Sequence, residues 1–229
     1  MLDTGDALVG GGILGDLTQG EAIVAGMNLM GYDAMALGPM ELSMGPDLLR
    51  KRMQEASFPM LSANAVLRET GELFAEPYAI LDLGDLRVGV IGLTRPPAEP
   101  GDSFEVLDPL ETASGSVSEV AAQADVVVVL TNEPYSSALG IGEAVAGIDL
   151  LIAGRPQQLP TQARRIPATG TIALTTEPPA QRHTGRRVGR LAVTVDRDRS
   201  LIGESWQPVA LDRTIPDSPS MTALLKSYP

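Results

Sequence analysis

The stretch Asp125-Val126-Val127-Val128-Val129-Leu130 constrains the fold more than any other part of the chain. Its apolar residues, mostly β-branched, follow one another without polar alternation, so the segment reads as a strand covered on both faces. It is far too short to cross a bilayer. A strand of this kind needs a layer on either side of its sheet. The flanking segments supply candidates. Pro109 to Ala124 has a helical pattern, weakened by Gly115 and several serines, and a second helix is expected from about Ser137 to Val145, ahead of the strand Ile148 to Ala153. That order of strands and helices predicts crossovers on a largely parallel sheet.

The remaining segments extend the pattern. Gly20 to Met30 places Ile23, Val24, Met27 and Met30 on one helical stripe. Ala34 to Leu37 reads as a short strand ended by Gly38-Pro39. Pro46 to Ala56 reads as an amphipathic helix, and Phe58 to Ala63 as a strand. Tyr78 to Leu83 and Leu86 to Leu93 flank Gly84-Asp85, a two-residue turn that predicts a hairpin. Thr171 to Thr175, Val188 to Val195 and Leu201 to Leu211 are expected to form an antiparallel sheet covering the parallel one. The turn 196–199 joins the last two of these strands. Asp217 to Tyr228 begins as a capped helix. No repeat divides the chain, which predicts one α/β domain over 1–212, with 213–229 opening a C-terminal linker helix.

Composition narrows the function. With 44% apolar residues the 229-residue chain can fill a sizeable core. A net charge of −12 disfavours nucleic-acid partners and anionic membrane surfaces. No apolar run is long enough for membrane insertion. The absence of cysteine excludes disulfides, thiolate catalysis and cysteine metal sites, and there is a single histidine, His183. No secretory signal precedes Met1-Leu2-Asp3-Thr4-Gly5-Asp6, which reads as the end of a buried strand. The chain is therefore expected to begin inside a fold element, as a truncated form, a processed product or a late start codon would leave it.

Several segments, in order and at natural spacings, resemble the N-terminal domain of the bacterial 5′-nucleotidase branch of calcineurin-like metallophosphoesterases. Asp3-Thr4-Gly5-Asp6 with Gly10-Gly11-Gly12 resembles that family's Gly-Asp block. The run from Gly26 through Tyr32-Asp33-Ala34-Met35-Ala36-Leu37-Gly38 resembles the approach to its Gly-Asn-His-Glu motif. Phe58 to Asn64 and Val88 to Thr94 resemble two core segments. Ile148 to Gly154 resembles the strand ahead of Gly-His-x-His, and Arg187 to Leu191 a late block. The resemblance implies a four-layer α-β-β-α sandwich of two mixed sheets, here expected to lack the usual first strand.

The departures fall at the chemistry. The family's first-strand Asp-x-His lies before the point where this chain begins. The resemblance makes Asp6 the retained metal-bridging aspartate. Pro39-Met40 stand where Asn-His is expected, followed by a retained Glu41. Asn132 replaces a ligand histidine, and Gly154-Arg155-Pro156-Gln157 replaces Gly-His-x-His. Zinc-type sites draw on several imidazoles or thiolates, and nearly all are absent. One carboxylate makes a poor site for magnesium or calcium, so Asp6 is expected to accept hydrogen bonds from loop amides. An all-oxygen site with Glu41, Asn132 and Glu133 is the alternative. Met40 cannot transfer protons and is expected to fill apolar space. Two roles fit Arg155: neutralising Asp6, which a lone buried carboxylate favours, or holding an anion in place of a metal.

The bland readings cover the rest. His183 is expected to be a solvated loop residue, and Arg182, Arg186, Arg187 and Arg190 to balance the chain's own carboxylates. Gly10 to Gly12 lack the lysine of a phosphate loop.

The expected function is therefore that of a degenerate phosphoesterase-like pseudoenzyme acting as a binding or assembly module. It would have no catalytic residue, no metal and no cofactor, and a vestigial pocket of Asp6, Met40, Glu41, Asn132, Arg155 and Gln157. A sheet lacking an inner strand invites self-association or another protein chain. The alternative is a metal-dependent phosphoesterase using manganese, magnesium or zinc, its site remodelled or completed by a missing N-terminal segment. A truncated product without a selected role is a third possibility. The family resemblance favours a periplasmic or extracellular place.

Overall fold

The structure, a computed structural model, describes residues 1–99, 101–155, 163–175, 187–196 and 201–228, with Arg155 and Arg187 described in their backbone only. The elements run β1 (Leu2–Asp3), α1 (Ile13–Leu17), α2 (Glu21–Met30), β2 (Ala34–Ala36), α3 (Pro39–Leu42), α4 (Pro46–Glu55), β3 (Met60–Leu61) and β4 (Ala65–Leu67). Then follow β5 (Tyr78–Leu83), β6 (Leu86–Leu93), β7 (Phe104–Val106), α5 (Pro109–Ala121), β8 (Val126–Pro134), α6 (Tyr135–Ala144) and β9 (Leu150–Arg155). β10 (Arg164–Arg165), β11 (Ile172–Thr175), β12 (Arg187–Val195), β13 (Leu201–Ala210) and α7 (Pro219–Leu225) complete the described chain. None of the described helices is long and apolar enough to cross a membrane.

Two sheets carry the domain. One is parallel, in the order β1-β2-β3; the other is mixed, in the order β10-β11-β9-β8-β6-β5. β5 and β6 pair antiparallel from Tyr78 opposite Ile91 to Leu83 opposite Leu86, so the turn sits at Gly84-Asp85, as its turn chemistry predicts. The apolar run of β8 alternates in space although it does not alternate in polarity. Val127 and Val129 face a core shared with α5 and α6, while Val126, Val128 and Leu130 face the other sheet. The parallel sheet splits likewise: Ala34 and Ala36 point between the sheets, and Met35 and Leu37 into a third core with Val24, Met27 and Leu49 of the outer helices. Three cores between four layers make the α-β-β-α sandwich.

Three details correct the sequence-based reading. Thr171 to Thr175 does not join a covering antiparallel sheet: β11 lies parallel to β9 in the main sheet. The reason is burial on both faces, Ala173 toward the helices and Ile172 and Leu174 between the sheets. Only β12 and β13 form the antiparallel layer, resting Leu191, Val193 and Trp206 against the inter-sheet core. Met30 is 47% exposed, because α2 buries Ala22, Val24, Gly26 and Met27 and ends at Gly31. Beyond Gly38 the chain enters the short helix α3, with Pro39 at its first turn, where the preset φ of proline is favourable.

The two sheets touch closely at β6. A methyl built on Gly92 would lie 2.4 Å from the carbonyl oxygen of Leu61, so no side chain fits there. Gly92→Ala is expected to force the sheets apart and cost about 1–3 kcal/mol, as overpacking usually does. Urea unfolding of the variant measures it; an unchanged midpoint would refute the close contact.

Candidate functional site

The carboxyl ends of the parallel strands β1, β2, β8 and β9 meet at one edge of the two-sheet stack, where open α/β sheets commonly place their sites. A methyl built on Gly38 would collide with Asp6 in its own sheet and with Asn132 across the sheets, and one on Gly154 would collide across them with Thr4. The backbones therefore approach as closely as they do because those positions lack a side chain. Beneath them a buried polar cluster ties β3 to β6. Ser62 and Thr94 share a hydrogen bond of 2.7 Å, Asn64 Nδ2 donates to the carbonyl of Thr94 at 2.8 Å, and Thr94 Oγ1 donates to the carbonyl of Leu37 at 2.8 Å.

Glu41 organises the floor. Its side chain is fully buried, and its two oxygens accept four backbone N–H groups: Asp6 and Gly38 on Oε2, each at 2.8 Å, Ala7 at 2.9 Å and Leu8 at 3.0 Å on Oε1. Burial pushes its carboxyl up to about 7, against the downward pull of the Leu8, Asp6 and Gly38 amides and with a smaller upward push from the charge of Asp6. Asp6, held at a positive φ of 60°, accepts the N–H of Met40 on Oδ1 at 2.9 Å. Met40 does not fill a core: it is 37% exposed, and its terminal methyl lies where a side chain on Gly10 would stand.

Asn132 is 1% exposed. Its Oδ1 accepts the N–H of Arg95 at 3.2 Å, and because only an oxygen can accept there, the Nδ2 amide is turned the other way. That amide points toward Gly38 and Asp6 and finds no acceptor among the described residues. Arg95 is half-buried, with its own Nε buried and without an acceptor among the described residues. Its charge lowers the neighbouring Glu133 carboxyl, but burial outweighs it and the net shift is upward. Asp3 is likewise raised, first by burial and further by the charge of Asp6, while the N–H of Gly5 acts in the opposite sense.

Of the residues singled out from sequence, Asp6, Met40, Glu41 and Asn132 come together here. The backbone of Arg155 ends β9 opposite Pro134. Its side chain, Gln157, His183, Arg182 and Arg186 lie outside the described residues. Sequence reasoning missed Asp3 and Arg95; the first shares the Asp-Thr-Gly-Asp turn, and the second directly follows the strand that ends at Thr94. Asp3 and Asp6 line a cleft of about 640 Å³ whose wall includes Ile13, Leu14, Ile23 and Gly154. Among the described residues no group of three or more His, Cys, Asp or Glu side chains is placed to hold a metal ion.

No family model matches the chain. It is similar to the 5′-nucleotidase of Homo sapiens, 26% identical over 251 residues that cover 100% of this chain and 43% of the relative. Among solved structures it is similar to a 5′-nucleotidase precursor from Thermus thermophilus, with a TM-score of 0.85 and 27% identity over 99% of this chain and 48% of the other. A calcineurin-like phosphoesterase from Bacillus subtilis shares the fold at a TM-score of 0.78 and 20% identity, over 99% of this chain and 81% of its own. The chain thus spans less than half the length of the 5′-nucleotidases it resembles.

The Glu41 carboxyl is the test of how this floor is built. Glu41→Ala leaves four amides without their acceptor, those of Leu8 and Gly38 buried and those of Asp6 and Ala7 partly buried, and chemical denaturation is expected to show a loss of about 3 kcal/mol. A carboxyl raised in the folded state contributes its full stability below its ordinary range and loses it as the pH climbs toward about 7. Stability is therefore expected to fall by up to roughly 3 kcal/mol between about pH 5 and about pH 8. Glu41→Gln should flatten that slope, and an equally steep slope in the variant would assign it elsewhere.

Proposed function

We propose that this chain, a member of the 5′-nucleotidase branch of the calcineurin-like phosphoesterase superfamily, is a catalytically degenerate form serving as a binding or assembly module. The fold family implies divalent metals, which would generate hydroxide and offset phosphoryl charge. The described residues do not fit such ions. The observation that carries this reading is the direction of the Asn132 carboxamide, which presents N–H groups toward Asp6 where a metal needs a lone pair. Turning the amide over would strip the Arg95 N–H of its acceptor. Glu41 offers nothing in compensation, since both its oxygens are held by backbone amides.

Features beside the cleft support an assembly role. β1 has no strand partner on its outer edge among the described residues. Ile13 and Leu17, one helical turn apart on α1, are 79% and 65% exposed. A second copy of this chain or another protein is the partner this surface suits. An active metal-dependent hydrolase is the second reading, favoured by Asp3 and Asp6 sharing one cleft.

Metal analysis of the purified chain, with hydrolysis of a nitrophenyl phosphate or a nucleoside monophosphate in added manganese, magnesium or zinc, separates the two. The degenerate form gives no stoichiometric metal and no turnover; bound metal with activity abolished by Asp6→Asn would replace it with the hydrolase. Asn132→Asp puts an acceptor beside Asp6. Its melting temperature is expected to rise with added manganese, while that of the unaltered chain stays put. Light scattering should find an oligomer, and a clean monomer would count against assembly.

A further inference from the structure

The cover over the main sheet is thin above β9. Ile152 points from β9 into the core between the sheets, level with Leu130 of β8 on one side and Leu174 of β11 on the other. Both neighbours are buried, yet Ile152 between them is partly exposed. A side chain in the middle of a covered sheet face loses its cover only where the opposite layer is interrupted. That layer comes in two pieces. One, β1-β2-β3, ends at β1, whose Thr4 meets the backbone of Gly154, two residues beyond Ile152 and on the same face of β9. The other, β12-β13, is a separate sheet whose Leu191, Val193 and Trp206 pack on the same core. Among the described residues no strand lies along the outer edge of β1.

The cleft of about 640 Å³ follows β1 and the turn after it, from Leu2 to Leu8, and reaches Gly154. A free strand edge presents a row of N–H and C=O groups, and the group that matches such a row is another extended backbone. Charge narrows the choice further. Asp3 and Asp6 line the cleft, and no lysine, arginine or histidine does. A second copy would bring the same carboxylates and a net charge of −12 to this edge, so it is repelled where a basic segment is attracted. We infer that the cleft takes an extended segment of another protein as a strand added beside β1, with apolar residues at alternate positions and one arginine or lysine set against Asp3 and Asp6. Successive side chains of that strand point to opposite faces. Leu2 faces the inter-sheet core, so the added residues on its side close over Ile152. Those on the other side, where Asp3 alternates with Leu2, meet Ile13, Leu14 and Ile23 and carry the basic group. The inference rests on the binding-module reading and states how its partner is held.

Calorimetric titration of the full chain tests it, with a short end-blocked peptide of alternating valine and threonine carrying one arginine as the probe. Binding is expected, together with slower hydrogen exchange over Leu2 to Gly5 once the peptide is present. Glutamate in place of the peptide's arginine should weaken binding about tenfold or more. A proline at its centre, which removes a ladder donor, should abolish it. Asp3→Asn should lower affinity for the arginine peptide and leave that for an uncharged version unchanged. Should that variant fail to fold, the peptide series on the unaltered chain still decides. Equal binding of the proline peptide, or of arginine amide alone, would replace the added strand with a site for a small organic cation. No binding of any peptide overturns the strand as well, and in each of these cases the degenerate reading stands. Stoichiometric manganese with turnover overturns the degenerate reading, whatever the peptides do.

Discussion

The four hydrogen bonds that the Glu41 carboxylate accepts from backbone amides hold the site end of this fold together. They join two stretches far apart in sequence, the turn at Asp6 to Leu8 and the chain leaving β2 at Gly38. Without an acceptor the amides of Leu8 and Gly38 would be buried and unpaired, the costliest kind of polar burial short of a bare charge. The same contacts bring Asp6 onto the N–H of Met40 and set it opposite Asn132. A carboxylate that a sequence would offer as a metal ligand is thereby given over to architecture.

That arrangement depends in turn on how closely the two sheets pack. Gly92 against Leu61, Gly38 against Asp6 and Asn132, and Gly154 against Thr4 are contacts that any larger residue would break. The polar cluster of Ser62, Asn64 and Thr94 stands where the sheets meet and is satisfied by backbone carbonyls and its own hydroxyls. It carries order outward to the Arg95 amide and so to the orientation of Asn132. The strand ends thus present the Asn132 amide nitrogen toward Asp6 while the Arg95 N–H holds its oxygen.

Much of the architecture is legible in the sequence. The apolar run Val126 to Leu130 required covers on both faces, and they are present as helices on one side and a second sheet on the other. Gly84-Asp85 set the β5–β6 register. Local signals misjudged β11, whose few residues carry no mark of whether they continue a parallel sheet or start an antiparallel one; long-range burial decided. They also missed α3, because a proline after a glycine reads as a stop when it stands equally well at the start of a helix.

By itself the sequence determined that the run Val126 to Leu130 is covered on both faces, the chain's negative charge and the poverty of imidazole and thiolate donors, since these follow from residue pattern and composition. Asp6 and Asn132 were both on view as residue types. Only the tertiary structure decided that the Asn132 amide turns its hydrogens toward Asp6, that Glu41 is consumed by four amides, and that Asp3 and Arg95 belong to the same neighbourhood. The physical reason is that a side chain's direction here is set by a hydrogen-bond partner tens of residues away, and no local pattern encodes which of its atoms that partner will claim.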